Sequence, residues 1–111
     1  MSARFQARLW VAQRVTAVIL AFCVVVHLAT IILAVRGGLT AAEILARTHG
    51  STAWGAFYAV FVVAAAIHGG IGLRAIGIEW LRLGRAAGWA AALVSVALVA
   101  LGLRAVMAVV A

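Results

Sequence analysis

From Val15 to Val35 the chain reads VTAVILAFCVVVHLATIILAV, without one charged side chain. A helix of about 20 apolar residues, rising about 1.5 Å each, crosses a bilayer. Two more runs meet that length: Trp54 to Leu73, and a third from near Ala86 to the C-terminus, broken only by Arg104. The chain is 68% hydrophobic over 111 residues, and no soluble domain of that size could hide so much apolar surface. It therefore reads as an all-α membrane protein. A single three-helix hairpin domain over 1–111 is expected, with helices at about 10–35, 51–80 and 86–110.

The net charge of +7 could suggest nucleic acid as a partner, but the arginines do not line one exposed face. Arg4, Arg8 and Arg14 precede the first run, and Arg74, Arg82 and Arg85 lie at or after the end of the second. Only Arg36 and Arg47 fall between the first two runs. The positive-inside rule then puts the N-terminus and the second loop in the cytoplasm and the C-terminus outside, in the periplasm. The first run is too long for a signal-peptide core and is kept as a helix of the mature protein. Cys23, the only cysteine, excludes an internal disulfide and a cysteine-held cluster, and reads as a small packing residue.

The connections carry local signals. FQARLWVAQR is expected to lie in the interface as a short amphipathic helix, with Trp10 at headgroup depth. RGGLT and HGST read as turns. TAAEILART between them is a short outer helix capped by Thr40, with Glu43 three residues later. LRLGRAAG is a tight basic turn. GIGLRA matches a dinucleotide fingerprint by letter, but it lies inside an apolar helix with no strand before it, so that reading is discarded.

Polar groups in hydrocarbon are costly and tend to face protein, a cofactor or water. His68, Gly72, Ala75 and Glu79 share one helix face, as do Thr16, Leu20, Cys23, His27 and Thr30. An imidazole one turn from a glycine gap suits axial ligation of a haem, whose edge needs flat space between helices. His68 is the first candidate ligand to haem iron and His27 the second; the alternative for each is a hydrogen bond to a neighbouring helix. His49 reads as solvated in an outer turn. Gln13, Arg14, Thr16, Arg74, Glu79 and Trp80 are expected at one membrane depth, at the cytoplasmic end. Together they would suit a quinone headgroup: donors for its carbonyls, a carboxylate for protons, an aromatic wall. Their ordinary reading is snorkelling arginines and an aromatic belt. Arg104 reads as a snorkelling residue or a contact to lipid or a haem propionate.

LWVAQRVTAVILAF and HGGIGLRAIGIEW resemble the helix openings of the small membrane anchors of succinate dehydrogenase and fumarate reductase, the complex II family. The first is similar to that family's Arg-x-Thr/Ser-Ala/Gly core after an aromatic. The second is similar to its haem-ligating histidine, followed four residues later by glycine and then by an acidic–aromatic pair, here Glu79 and Trp80. Of the family's two sister anchors, the D-type is the better match, although Arg74 is more like the C-type. The resemblance implies a three-helix anchor in the bacterial inner membrane. That anchor would hold haem b together with a second anchor subunit, help form a site for ubiquinone or menaquinone, and dock the iron–sulfur and flavoprotein subunits of a respiratory enzyme. By position, His68 would be the axial ligand, Gly72 its neighbouring gap, and Arg14 and Thr16 neighbours of quinone or a haem propionate. Glu79 and Trp80 would face the quinone, but Trp80 stands where the family often has tyrosine, and an indole cannot act as a phenol does. His27 departs from single-haem anchors. It is structural, or it grips one haem with His68, or it serves a second haem. The rival classes are a small proton-coupled transporter subunit and a structural assembly peptide.

Overall fold

The computed structural model describes residues 2–111. Four helices follow in order: α1 (Ala3–Gly37), α2 (Ala41–Thr48), α3 (Thr52–Glu79) and α4 (Arg85–Val110). Helices α1, α3 and α4 are long and apolar enough to cross a membrane. A helix satisfies its backbone hydrogen bonds internally, which hydrocarbon demands.

The N-terminal lead-in differs from expectation. FQARLWVAQR is not a separate interfacial helix; it is the start of α1, which runs unbroken from a Ser2 cap whose hydroxyl accepts from the Phe5 N–H at 3.2 Å. No glycine or proline lies in that stretch to interrupt the ladder. At about 1.5 Å per residue, α1 is about 50 Å long and overshoots a hydrocarbon core of about 30 Å. The molecule's longest dimension is 49 Å.

Helix α2 forms as the sequence indicates. The Thr40 hydroxyl accepts from the Glu43 N–H at 3.2 Å, and the Glu43 carboxylate accepts from the Thr40 N–H at 3.0 Å. The Thr40 hydroxyl also donates to that carboxylate at 2.7 Å. These two Thr40 bonds, the hydroxyl's first, hold Glu43 below the usual glutamate range, with a smaller contribution from nearby Arg47. Arg47 itself donates to the Gly38 carbonyl at 2.9 Å. Two bonds then tie this outer connection to the far end of α4: Thr48 Oγ1 to the Val109 carbonyl at 2.7 Å, and the Gly50 N–H to the Val110 carbonyl at 2.8 Å.

Helix α3 lies between α1 and α4, which scarcely touch each other. Lipid tails are as apolar as the side chains, so helix association in a bilayer comes from close packing. The α3–α4 seam accordingly uses small residues: Ala66, Gly70 and Gly77 on one side, Ala87, Ala91 and Ser95 on the other. A Cβ on Gly77 would stand 2.8 Å from that of Ala87, and one on Gly70 would collide with Ser95 Oγ. Ser95 donates to the Ala66 carbonyl across the seam at 3.0 Å. The chain reverses between α3 and α4 within a few residues, with Arg82 at φ 53° and Gly84 at φ 57°. The left-handed region costs a non-glycine residue about 1 kcal/mol, and Arg82 bears it so that the Leu83 N–H can reach the Gly77 carbonyl at 2.9 Å.

Candidate functional site

Helices α1 and α3 run antiparallel, and their register brings Thr16 against His68. Thr16 Oγ1 is buried, 3.2 Å from His68 Nδ1. Its single proton is already committed to the backbone, 2.7 Å from the Ala12 carbonyl and 3.2 Å from that of Gln13. With that proton on the carbonyl, the hydroxyl accepts from an Nδ1–H, and the tautomer this geometry suits leaves a lone pair on Nε2. Nε2 has no hydrogen-bond partner and is not enclosed by the chain, and the His68 side chain is half-buried. A histidine oriented through Nδ1–H with Nε2 free is an arrangement that suits metal ligation. The chemistry of that nitrogen fits a haem iron.

Gly72 lies on the α1 side of α3. Gln13 of α1 faces it, with its amide nitrogen 3.7 Å from where a Cβ would stand. Gln13 is in turn the inner end of a cleft of about 560 Å³ between α1 and α3, which Trp10, Arg74, Ala75 and Glu79 also line. The Gln13 side-chain oxygen is buried there without a hydrogen-bond partner. An unmatched buried acceptor is costly, and a ligand hydroxyl would satisfy it. The Arg74 guanidinium reaches toward the membrane surface, 5.6 Å from the Phe5 ring centroid.

The polar cluster is thus only partly assembled at one depth. Gln13 packs level with Gly72, so Glu79 lies seven residues, or about 10 Å, nearer the end of the molecule. The cleft is a funnel with Glu79 at its mouth, Arg74 along its wall and Gln13 at its floor. Thr16 is committed to His68. Arg14 lies outside the cleft, with its guanidinium 5.2 Å from the Trp10 ring centroid. Trp80 is 81% exposed and does not line it. Because α1 is helical from Ala3, its basic lead-in pairs with the end of α3, and Gln13 lies deeper than a helix starting near residue 10 would set it.

The structure does not bring His27 and His68 together. His27 packs edge-on against Tyr58 and Phe61, with ring centroids 6.0 and 5.6 Å away. Eleven residues separate it from Thr16, so the two histidines stand about 16 Å apart along the helix axis. The same antiparallel register that pairs Thr16 with His68 carries His27 three turns onward, so similar depths are not observed. His27 borders an apolar cavity of about 440 Å³ near α2, with Tyr58, Phe61, Val62 and Gly102 among its walls. Its Nδ1 is buried and unpartnered. Sequence spacing found both histidines and missed this cavity, because its walls come from α2, α3 and α4 as well as α1. Among the described residues, no three His, Cys, Asp or Glu side chains gather as a protein-only metal site.

No curated protein and no solved structure matches the chain. The family model described as succinate dehydrogenase/fumarate reductase transmembrane subunit matches residues 1–102. With that match running from the start of α1 through most of α4, the chain belongs to the succinate dehydrogenase/fumarate reductase transmembrane subunits, the membrane anchors of those complexes.

Proposed function

We propose that this anchor holds haem b through His68 and forms part of a quinone site in the α1–α3 cleft, with the iron–sulfur and flavoprotein subunits docked at its basic, cytoplasmic end. The observation that carries the reading is the Thr16–His68 bond, which leaves a lone pair on an outward-facing Nε2. An axial ligand open to the outside requires a second wall, which a partner anchor subunit supplies. When bound, the haem provides a one-electron carrier inside the bilayer. This chain's residues position it and tune it.

The cleft supplies the remaining chemistry. Arg74 donates to a quinone carbonyl, and the unmatched Gln13 oxygen accepts from a hydroxyl of the reduced form. Glu79 at the mouth exchanges protons with the aqueous side. Gln13 is three residues from Thr16, so the floor of the cleft adjoins the histidine's support. A transporter reading lacks such continuity, since His27 stands three turns away from His68. Arg14, on another face of α1 from the cleft, and Trp80, exposed at the end of α3, act outside the cleft or toward a partner.

The unpartnered His27 Nδ1 beside an apolar cavity favours one second reading, an anchor for two haems. A reduced-minus-oxidised spectrum of the protein with its co-purifying subunits separates the two. Loss of the b-type signal in His68→Ala alone supports one haem shared with a partner. Loss of part of the signal in each of His68→Ala and His27→Ala supports two. A wild type without haem overturns both.

A further inference from the structure

We propose that α2 is a hinged lid over the apolar cavity beside His27, and that Thr48 is its latch. The cavity, of about 440 Å³, is closed at the outer end by Ile44 and Thr48 of α2. A second space, of about 210 Å³, lies on the α1 side of α2, with Arg47 and Trp54 at its border. Ile44 and Thr48 line both spaces, and so do His27 and Tyr58. These two α2 residues stand one turn apart on one face, so together they are the partition between the spaces. Lifting α2 joins the spaces into one path from the exposed Arg47 to the His27 ring.

Three features make the partition movable. The first is attachment. Helix α2 packs chiefly on α4, most of it is exposed, and two bonds tie it there: Thr48 Oγ1 to the Val109 carbonyl at 2.7 Å and the Gly50 N–H to the Val110 carbonyl at 2.8 Å. The second is a hinge at each end. Gly38 at φ 122° and Gly50 at φ 72° flank α2, in backbone conformations that glycine adopts without strain. The third is that the latch can release without orphaning its groups. The Thr48 hydroxyl also lies 3.2 Å from the Ile44 carbonyl of its own helix, to which it can donate instead. The Val109 carbonyl belongs to the last turn of α4, where carbonyls lack a helical partner and take water. Opening also relieves a cost of the closed state. The His27 Nδ1 is buried and unpartnered there, and an open lid gives it water or a small polar solute from the aqueous phase at the α2 end. The lid is independent of His68 and of the α1–α3 cleft.

The test uses the protein with its co-purifying subunits in nanodiscs, where lipid covers the side of the bundle and both aqueous ends stay open. Ala65→Cys places a thiol on the cavity wall, thirteen residues or about 20 Å from the start of α3. A permanently charged methanethiosulfonate, which does not dissolve in lipid, is added, and modification at each cysteine is followed by mass spectrometry. Cys23, buried where α1 meets α3, is the internal control for general loosening. The thiol at position 65 is expected to react slowly with the latch intact and about fivefold faster with Thr48→Val, which keeps the shape and removes the bond. Thr48→Ser is expected to return the rate to that of the intact latch, and Cys23 to stay unmodified throughout. Equal rates at position 65 with threonine and valine would overturn the proposal, because entry would then bypass α2. No reaction in either background would overturn it too, since the cavity would be closed to water. A parallel rise at Cys23 would overturn it in favour of a bundle that loosens as a whole.

Discussion

His68 is oriented by a hydroxyl whose own proton is held by the turn before it. If His68 ligates haem as proposed, Thr16 is a positioning residue. Thr16→Val removes the acceptor for Nδ1–H while keeping the shape, and is expected to weaken haem retention about 10–100-fold. It should also raise the haem midpoint potential, because an imidazole without that bond donates less to ferric iron. Thr16→Ser should restore both. A purely structural Thr16 would lower thermal stability in the valine variant and leave the potential where it was. At this scale the histidine was legible in the sequence, since an ionisable residue in an apolar run invites a functional reading. Its tautomer was not, because that depends on a residue 52 positions away.

At the element scale, the outer helix α2 is held by charge and the α3–α4 pair by closeness. The Glu43 carboxyl sits below its ordinary range because Thr40 bonds favour the ionised form. Such a group stabilises the fold above the ordinary glutamate pKa, and that contribution is lost as pH falls through the lowered folded value. Hydrogen-exchange protection across Ala41–Thr48, corrected for the intrinsic pH dependence of amide exchange, should thus fall on acidification below the ordinary glutamate range. In Glu43→Gln that protection should already be lower and flat with pH. The α3–α4 seam predicts a different sensitivity. Gly77→Val must push against Ala87 Cβ and should cost about 1–3 kcal/mol, read as a lower melting temperature in detergent. Gly70→Ala displaces Ser95 from the Ala66 carbonyl and should cost about 1 kcal/mol. The Thr40–Glu43 box was readable as letters three apart, since both partners lie within one turn. The glycines were readable only as places of close approach, without the neighbour that approaches.

For the whole molecule, the arginines divide unevenly between its two ends. Arg4, Arg8, Arg14, Arg74, Arg82 and Arg85 gather where α1 begins and α3 turns into α4; Arg36, Arg47 and Arg104 belong to the α2 end. The bias predicts that the first end is cytoplasmic. A cysteine introduced at Gly50 should then react with an impermeant maleimide added to whole spheroplasts, and one at Ser2 only after lysis. The reverse pattern would turn the α1–α3 cleft, and the proton exchange proposed for it, to the other side. The same scale sets the histidines apart. His27→Ala should leave the His68-dependent absorbance intact, since about 16 Å of helix lies between them.

By itself the sequence determined the three long apolar helices and the outer cap. Each of these depends on runs and spacings along one segment: about 20 apolar residues for a span, or three residues for a capping box. Only the tertiary structure decided which polar groups meet. The sequence allowed six of them to be set at one depth, yet the register of α1 on α3 gives Thr16 to His68, places Gln13, Arg74 and Glu79 along one cleft, and leaves Arg14 and Trp80 outside it. That register is a property of two helices together. It follows from how far α1 extends toward its N-terminus and from which small residues let the helices approach, and no single segment encodes it.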